Sequence, residues 1–247
     1  MAQNKKMAIS TNPLAWLRSV QPRRAIALLL LLLPLTVGAQ TVRDLWLSMP
    51  PSFVPYLSTS LRTQCLDFYD MHTDAQTDNA LKGKSRIDTL TSTFLAATLS
   101  KAHTLQMKLL PASGSGSGSA SASSMVSGSG SSSSLSSCDS VLCVVRSWDG
   151  PKRDSEVQLF DRQWKPLQAP LTFSADSFVC RPDTMSEERF SRLVALLDPI
   201  MFSVSLSPAE NVLLVKLSPV VPNPEDEKAI EQILVQRKLK WDGKTFK

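Results

Sequence analysis

The sequence predicts an α+β fold, a mainly antiparallel sheet covered by two or three helices, and three observations carry that prediction. Val141 to Trp148 and Glu156 to Trp164 read as two strands joined across Asp149-Gly150-Pro151. In the first, Val141, Cys143 and Val145 alternate with Leu142, Val144 and Arg146, so one face is apolar and the other nearly so. Such a strand belongs in the middle of a sheet or between a sheet and helices. In the second, Val157 and Leu159 alternate with Glu156 and Gln158, the pattern of a strand with one face in water. Helical periodicity with end signals recurs near residues 60, 184 and 223, which supplies the helices.

Taken in order, residues 1–39 hold five basic residues, no acidic one and an uninterrupted apolar run from Ala25 to Leu33. That run falls well short of the roughly 20 apolar residues that span a bilayer, and Val37-Gly38-Ala39 offers a signal peptidase small residues. The segment reads as a Sec-type signal peptide, with a periplasmic or secreted mature protein starting near Gln40 and no transmembrane anchor. The chain has 27 basic and 22 acidic residues, so losing five of the basic ones leaves 22 of each sign. The basicity belongs to the leader, and a neutral exported chain argues against a nucleic-acid binder.

Pro50, Pro51 and Pro55 exclude a long helix between Thr41 and Tyr56, leaving a short helical turn and an extended lead-in. Leu61, Cys65, Phe68 and Tyr69 make the apolar stripe of a helix over 60–71. A further turn or two of helix is expected from Ala75 to Lys82, ending at Gly83. Arg86 to Leu110 reads as two or three strands. Leu105, Met107 and Leu109 alternate there with Gln106 and Lys108 as the clearest half-buried strand.

Ser113 to Ser137 is nearly all Ser, Gly and Ala and holds five of the nine glycines. It buries too little apolar surface to offset the entropy of ordering it, and reads as a disordered loop inside a single domain over 40–247. Thr184 and Glu187 have capping-box spacing at the start of a helix with Phe190, Leu193, Val194 and Leu197 on its buried face. Met201 to Leu206 and Val212 to Leu217 read as strands. Asn223 caps a last helix with Pro224 in first position, three acids in its first turn, and Arg237 and Lys238 assigned to its last. A small hairpin turns at Asp242-Gly243. Leu99 to Pro111 also echoes Leu206 to Pro219, which would fit a helix-plus-hairpin pseudo-duplication.

These residues carry a resemblance. Thr41-Val-Arg-Asp-Leu-Trp, Leu61-Arg-Thr with Leu66-Asp-Phe-Tyr, Thr104-Leu-Gln-Met-Lys-Leu-Leu-Pro, Gln163-Trp-Lys-Pro-Leu, Asp183-Thr-Met-Ser-Glu-Glu-Arg-Phe and Gln236-Arg-Lys-Leu-Lys-Trp-Asp-Gly-Lys-Thr-Phe together resemble an uncharacterised secreted family of Bacteroidota, a domain-of-unknown-function family. The resemblance spans nearly the whole mature chain and implies an exported α+β protein. It brings no catalytic residues with it. The Ser/Gly tract departs from the family's pattern, in which a short connection joins the same strands.

Chemical motifs are sparse. Outside the tract the mature chain has only Gly83, Gly150 and Gly243, too few for a phosphate-binding loop. Two histidines rule out a His-rich metal site, and the best metal candidate is Asp70, His72 and Asp74, whose alternate spacing aligns three ligands if the segment is extended. Asp67 with Asp70, and Glu187 with Glu188, are carboxylate pairs that helix solvation and capping explain better than glycoside chemistry. Cys65 and Cys143 sit on apolar faces and are expected reduced; Cys138 and Cys180 lie in irregular segments and are the pair proposed to bridge. Trp148 and Trp164 flank the central hairpin, either sealing a core edge or offering an aromatic platform. No catalytic, cofactor-binding or confirmed metal residue emerges. The reading is an exported, non-enzymatic binding or interaction module of the cell envelope, its partner a protein, peptide or glycan; a hydrolase of envelope or dietary polymers is the alternative.

Overall fold

Thr41 caps the first helix, its side chain accepting from the Asp44 N–H while Asp44 accepts from the Thr41 N–H. The computed structural model describes residues 40–112 and 140–247. Residues 1–39, read above as a signal peptide, the Ser/Gly tract and Cys138 lie outside the described residues. Helix α1 (Val42–Ser48) stops before the prolines, and α2 (Thr59–Asp70) follows with Ser58 as its cap. Six strands then form an antiparallel meander in chain order: β1 (Thr77–Asp78), β2 (Lys84–Leu90), β3 (Phe94–Ser100), β4 (His103–Pro111), β5 (Ser140–Asp149) and β6 (Arg153–Phe160). A 3-10 turn (Ala175–Phe178) and α3 (Glu187–Ala195) lead to a second, three-stranded sheet of β7 (Phe202–Leu206), β8 (Val212–Leu217) and β9 (Arg237–Lys240), with α4 (Pro224–Glu231) between its last two strands.

The large sheet is covered on both faces. On one, Leu95, Ala97, Leu99, Leu105, Met107, Leu142 and Val144 pack against α1, the proline-rich link and α2. On the other, Phe94, Leu110, Val141, Cys143, Val145, Val157 and Leu159 meet the small sheet, α3 and α4. β5 is apolar on both sides because it is central, as its sequence implies. β4 and β5 are paired in unbroken register from His103↔Trp148 to Pro111↔Ser140, so the tract connects two neighbouring antiparallel strands.

Several sequence expectations are corrected. Residues 75–82 are not helical: they form β1 and a tight turn organised by Asn79, whose buried amide donates to Ser85 Oγ (3.0 Å) and the Leu99 carbonyl (2.8 Å) and accepts from the Leu81 and Gly83 N–H groups (3.0 Å each). An asparagine that satisfies its own turn outcompetes helix. Gly83 serves close packing, since a Cβ there would lie 3.2 Å from the Asn79 amide, and Lys82 takes the left-handed position, φ 58°. Lys108, expected on a wet face, is buried under the β7–β8 turn. The buried face of α2 is shifted by one residue, with Arg62 and Leu66 inside alongside Cys65. Ser186, not Thr184, caps α3 by accepting from the Arg189 N–H. The last helix ends at Glu231, and Arg237 and Lys238 belong to β9, drawn into the extended state where Val235 and Ile233 exchange backbone hydrogen bonds with residues 178–180. The two copies of the internal echo both form hairpins, β3–β4 and β7–β8; their continuations differ, β4 pairing directly with β5 while a helix separates β8 from β9.

Candidate functional site

Asp70, His72 and Asp74 do not converge. Asp70 closes α2 and is ion-paired with Arg43 of α1, which holds its carboxyl below the usual range. His72 occupies the left-handed position after the helix, φ 52°, so the extended geometry that would align the three never forms. His72 and Asp74 line a cavity of about 380 Å³ between α2 and β2, beside Tyr69, Arg86 and Asp88. The Arg86 guanidinium is already taken by Asp88 at 2.7 Å. Among the described residues no group of three metal-binding side chains occurs.

Many of the carboxylates are committed to caps and ion pairs. Wherever a described carboxylate is displaced from its ordinary pKa the shift is downward: Asp44 by its cap on Thr41, Asp70 by Arg43, Asp149 by Arg153, Glu210 by Lys238, and Asp242 by Lys247 and the turn N–H groups it accepts. A general acid needs the opposite displacement, a carboxyl raised by burial. Glu187 is paired with Arg181 at 3.1 Å. Cys65 and Cys143 are buried, with their thiols pushed up by desolvation. Cys180 is exposed; the Cys138–Cys180 pairing involves a residue outside the described ones.

The two tryptophans beside the central hairpin part company. Trp164 is buried and its indole donates to the Leu45 carbonyl at 3.1 Å. It seals the core. Trp148 is 40% exposed, its ring stacked on His103 at 5.2 Å and 10° from parallel, with the Arg146 guanidinium 5.5 Å from its centroid. His103 is buried, and burial with nearby Arg146 lowers its pKa. The Tyr56 hydroxyl, its pKa pushed up to about 12 by burial, bonds His103 Nδ1. His103 Nε2 is buried without a partner. An imidazole hydrogen-bonded to Tyr56 and stacked flat on Trp148 fixes the orientation of that indole, which is preorganisation of an exposed aromatic side chain.

The same end of the meander gathers more exposed groups. The terminal pairs Asp78↔Lys84, Ser100↔His103 and Asp149↔Arg153 put the turns at 79–83, 101–102 and 150–152 side by side. Hydrogen bonds knit them: Ala80 N–H to the Tyr56 carbonyl (3.0 Å) and Asp149 N–H to the Ala102 carbonyl (2.9 Å). Leu81, at the tip of the Asn79 turn, is 65% exposed. Lys82, Lys84, Arg86 and Lys101 line an adjoining groove of about 290 Å³ with Gln76, Thr98 and Ser100. The sequence singles out Trp148 but not Leu81 and Lys82, which fall in the segment expected to be helical, nor Lys84 and Lys101, which only the strand ends bring to the same groove. The pattern Asn-x-x-x-Gly before a strand was the signal available.

Fold and site together define an α+β protein with a preorganised, partly apolar sheet end and carboxylates engaged in caps and ion pairs. The sequence profile of the family described as protein of unknown function (DUF3256) matches residues 34–136 and 131–246. The chain belongs to that family. A solved structure described as a domain of an uncharacterized protein from Porphyromonas gingivalis W83 is similar in fold, with a TM-score of 0.56 and 21% sequence identity over 83% of this chain and 98% of that one. Comparison with curated proteins finds no match.

Proposed function

We propose that this protein is an exported, non-enzymatic binding module of the cell envelope that makes contact through the Leu81–Trp148 end of its large sheet. One observation carries the reading: a leucine on a tightly hydrogen-bonded turn and a tryptophan on a strand, stacked on a buried histidine, stay exposed, so their exposure is built in. Apolar side chains presented on a rigid surface mark contact sites. The sequence of residues 1–39 supports export, and the lowered carboxyls of Asp44, Asp70, Asp149, Glu210 and Asp242, each held by a cap or an ion pair, weigh against the hydrolase alternative.

Fractionation of cells producing the full chain tests it. The expected result is a processed protein starting at or near Gln40 by intact mass, recovered with washed envelopes and shifted to the soluble fraction by Leu81→Ser combined with Trp148→Ala. Retention in the cytoplasm with the leader attached, or envelope association indifferent to both substitutions, would refute the proposal.

A further inference from the structure

We infer that the partner of this sheet end is an anionic lipid surface, with Leu81 and Trp148 entering the interfacial layer and Lys82 and Lys101 facing the headgroups. The inference rests on the binding-surface reading above and names its partner class.

The charge at this end is what selects the partner. Lys84 is paired with Asp78, Arg153 with Asp149 and Lys152 with Glu227, and Asp154, opposite Trp148, accepts from the Ser155 and Phe202 N–H groups and keeps its negative charge. Lys82 and Lys101 have no ion-pair partner among the described residues and, set against Asp154, leave this end of the sheet with a positive surplus, concentrated on the two turns beside Leu81. The mature chain has 22 charges of each sign, so this surplus is a local feature. Unpaired lysines on the turns that accompany an exposed leucine and tryptophan match the chemistry of a bilayer interface: anionic headgroups outside, and a belt below where an indole is at home.

The geometry suits shallow insertion. Leu81 stands at the tip of a turn whose Asn79 amide makes four hydrogen bonds, so little conformational entropy is lost when the leucine is buried. Trp148 is held by its stack on His103. Arg86 lies further along β2, bound to Asp88. Among the described residues no helix is long and apolar enough to cross a membrane, and the contact proposed is peripheral.

Co-sedimentation of the protein, purified as cells release it, with vesicles of phosphatidylglycerol and phosphatidylethanolamine tests the inference, with phosphatidylcholine vesicles as the neutral arm. Binding to the anionic vesicles is expected to exceed binding to the neutral ones, and to fall sharply near 1 M salt, where the screening length is about 3 Å. Lys82→Gln with Lys101→Gln should weaken it about 25-fold, at roughly fivefold per lysine near an anionic surface. Leu81→Ser should weaken it at least about tenfold, and tryptophan emission should shift to the blue in wild type and not in Trp148→Phe. Lys165→Gln, an exposed lysine elsewhere, serves as the control and should bind like wild type. All variants change exposed side chains, and an unchanged urea midpoint confirms their folding. Equal binding to both vesicle types, no binding to either, or full binding by the double lysine variant overturns the inference. If washed envelopes are bound in a Leu81- and Trp148-dependent way while pure lipid vesicles are not, the lipid assignment fails and the binding-module reading stands.

Discussion

The helical face of the large sheet and its opposite face are both apolar at the centre, yet they are joined to their covering layers by different means. On the helical side Leu45, Trp46, Cys65 and Leu66 drop onto Leu105, Met107 and Val144, and an α-helix can do this because its backbone groups are already satisfied within itself. On the other side the cover arrives as a strand with an open edge. The outward N–H groups of β7 are met by side chains of the large sheet: Phe202 by Asp154 (3.3 Å), Val204 by Ser155 Oγ (3.1 Å) and Leu206 by Gln106 Oε1 (2.8 Å). Contacts run from β6 to β4, so β7 crosses the strands beneath it. Where β7 ends, the buried Lys108 Nζ donates to the carbonyls of Ser207 (2.6 Å), Pro208 (3.0 Å) and Glu210 (2.7 Å). A sheet edge docked on another sheet needs polar side chains aimed at its backbone, whereas a docked helix needs only shape and apolar surface.

The comparison breaks most clearly at Lys108. Lys108→Met should cost about 4 kcal/mol in a urea melt, because three turn carbonyls lose their shared ammonium donor at once; a loss under about 1 kcal/mol would mean water replaces the ammonium and the polar joint is dispensable. On the dry face, Leu45→Ala should cost about 3 kcal/mol through transfer and cavity terms alone, without the unsatisfied groups that make Lys108 worse. Gln106→Ala strands a single N–H, that of Leu206, and about 1.5 kcal/mol is expected. If Gln106→Ala matched Leu45→Ala, the joint would be cooperative, with its members unable to be removed one at a time.

A fourth test concerns pH. His103 has a folded pKa below its ordinary 6.5, so the unfolded chain takes up a proton first as pH falls. Above that value both states are neutral at His103. Below it the unfolded state is favoured until the folded pKa is reached, so the wild-type unfolding midpoint should decline through the weakly acidic range. His103→Phe keeps a ring against Trp148 and removes the titrating group; its midpoint should be flatter over that range, before the lowered carboxylates such as Asp44 and Asp149 titrate. The smallest effect belongs to the tract. Because Pro111 and Ser140 are direct partners, replacing residues 113–137 with a four-residue turn should leave one cooperative transition, unchanged or stabilised by about 1 kcal/mol through a shorter loop to close. Two transitions in the parent, or an insoluble shortened protein, would locate a domain boundary there.

Long side chains in the segments that carry the family resemblance explain much of what was legible. Trp46, Arg62, Lys108, Trp164 and Trp241 each donate to main-chain carbonyls where chain segments cross: Arg62, Met49, the β7–β8 turn, Leu45 and Pro111 respectively. They mark the fold, and their roles are structural, which is why reading them for chemistry returned nothing. Cavity-lining His72 and exposed Trp148 were visible as residues; the surface Trp148 shares with Leu81 was not.

By itself the sequence determined what depends on neighbours along the chain. Alternation in β5 and β6, periodicity in α2 and α3, the Asn223-Pro224 start of α4 and the turn at Asp242-Gly243 all arise from local backbone geometry acting on residue type. Tertiary structure decided whatever depends on partners far away. Lys108 is buried because a turn about 100 residues later supplies three carbonyls, Arg62 because the Met49 carbonyl and Thr59 hydroxyl meet it, and residues 237–240 are extended because β8 offers an edge. A polar side chain carries no local sign of whether its hydrogen-bond partner will be water or a distant peptide group, and only the fold settles which it is.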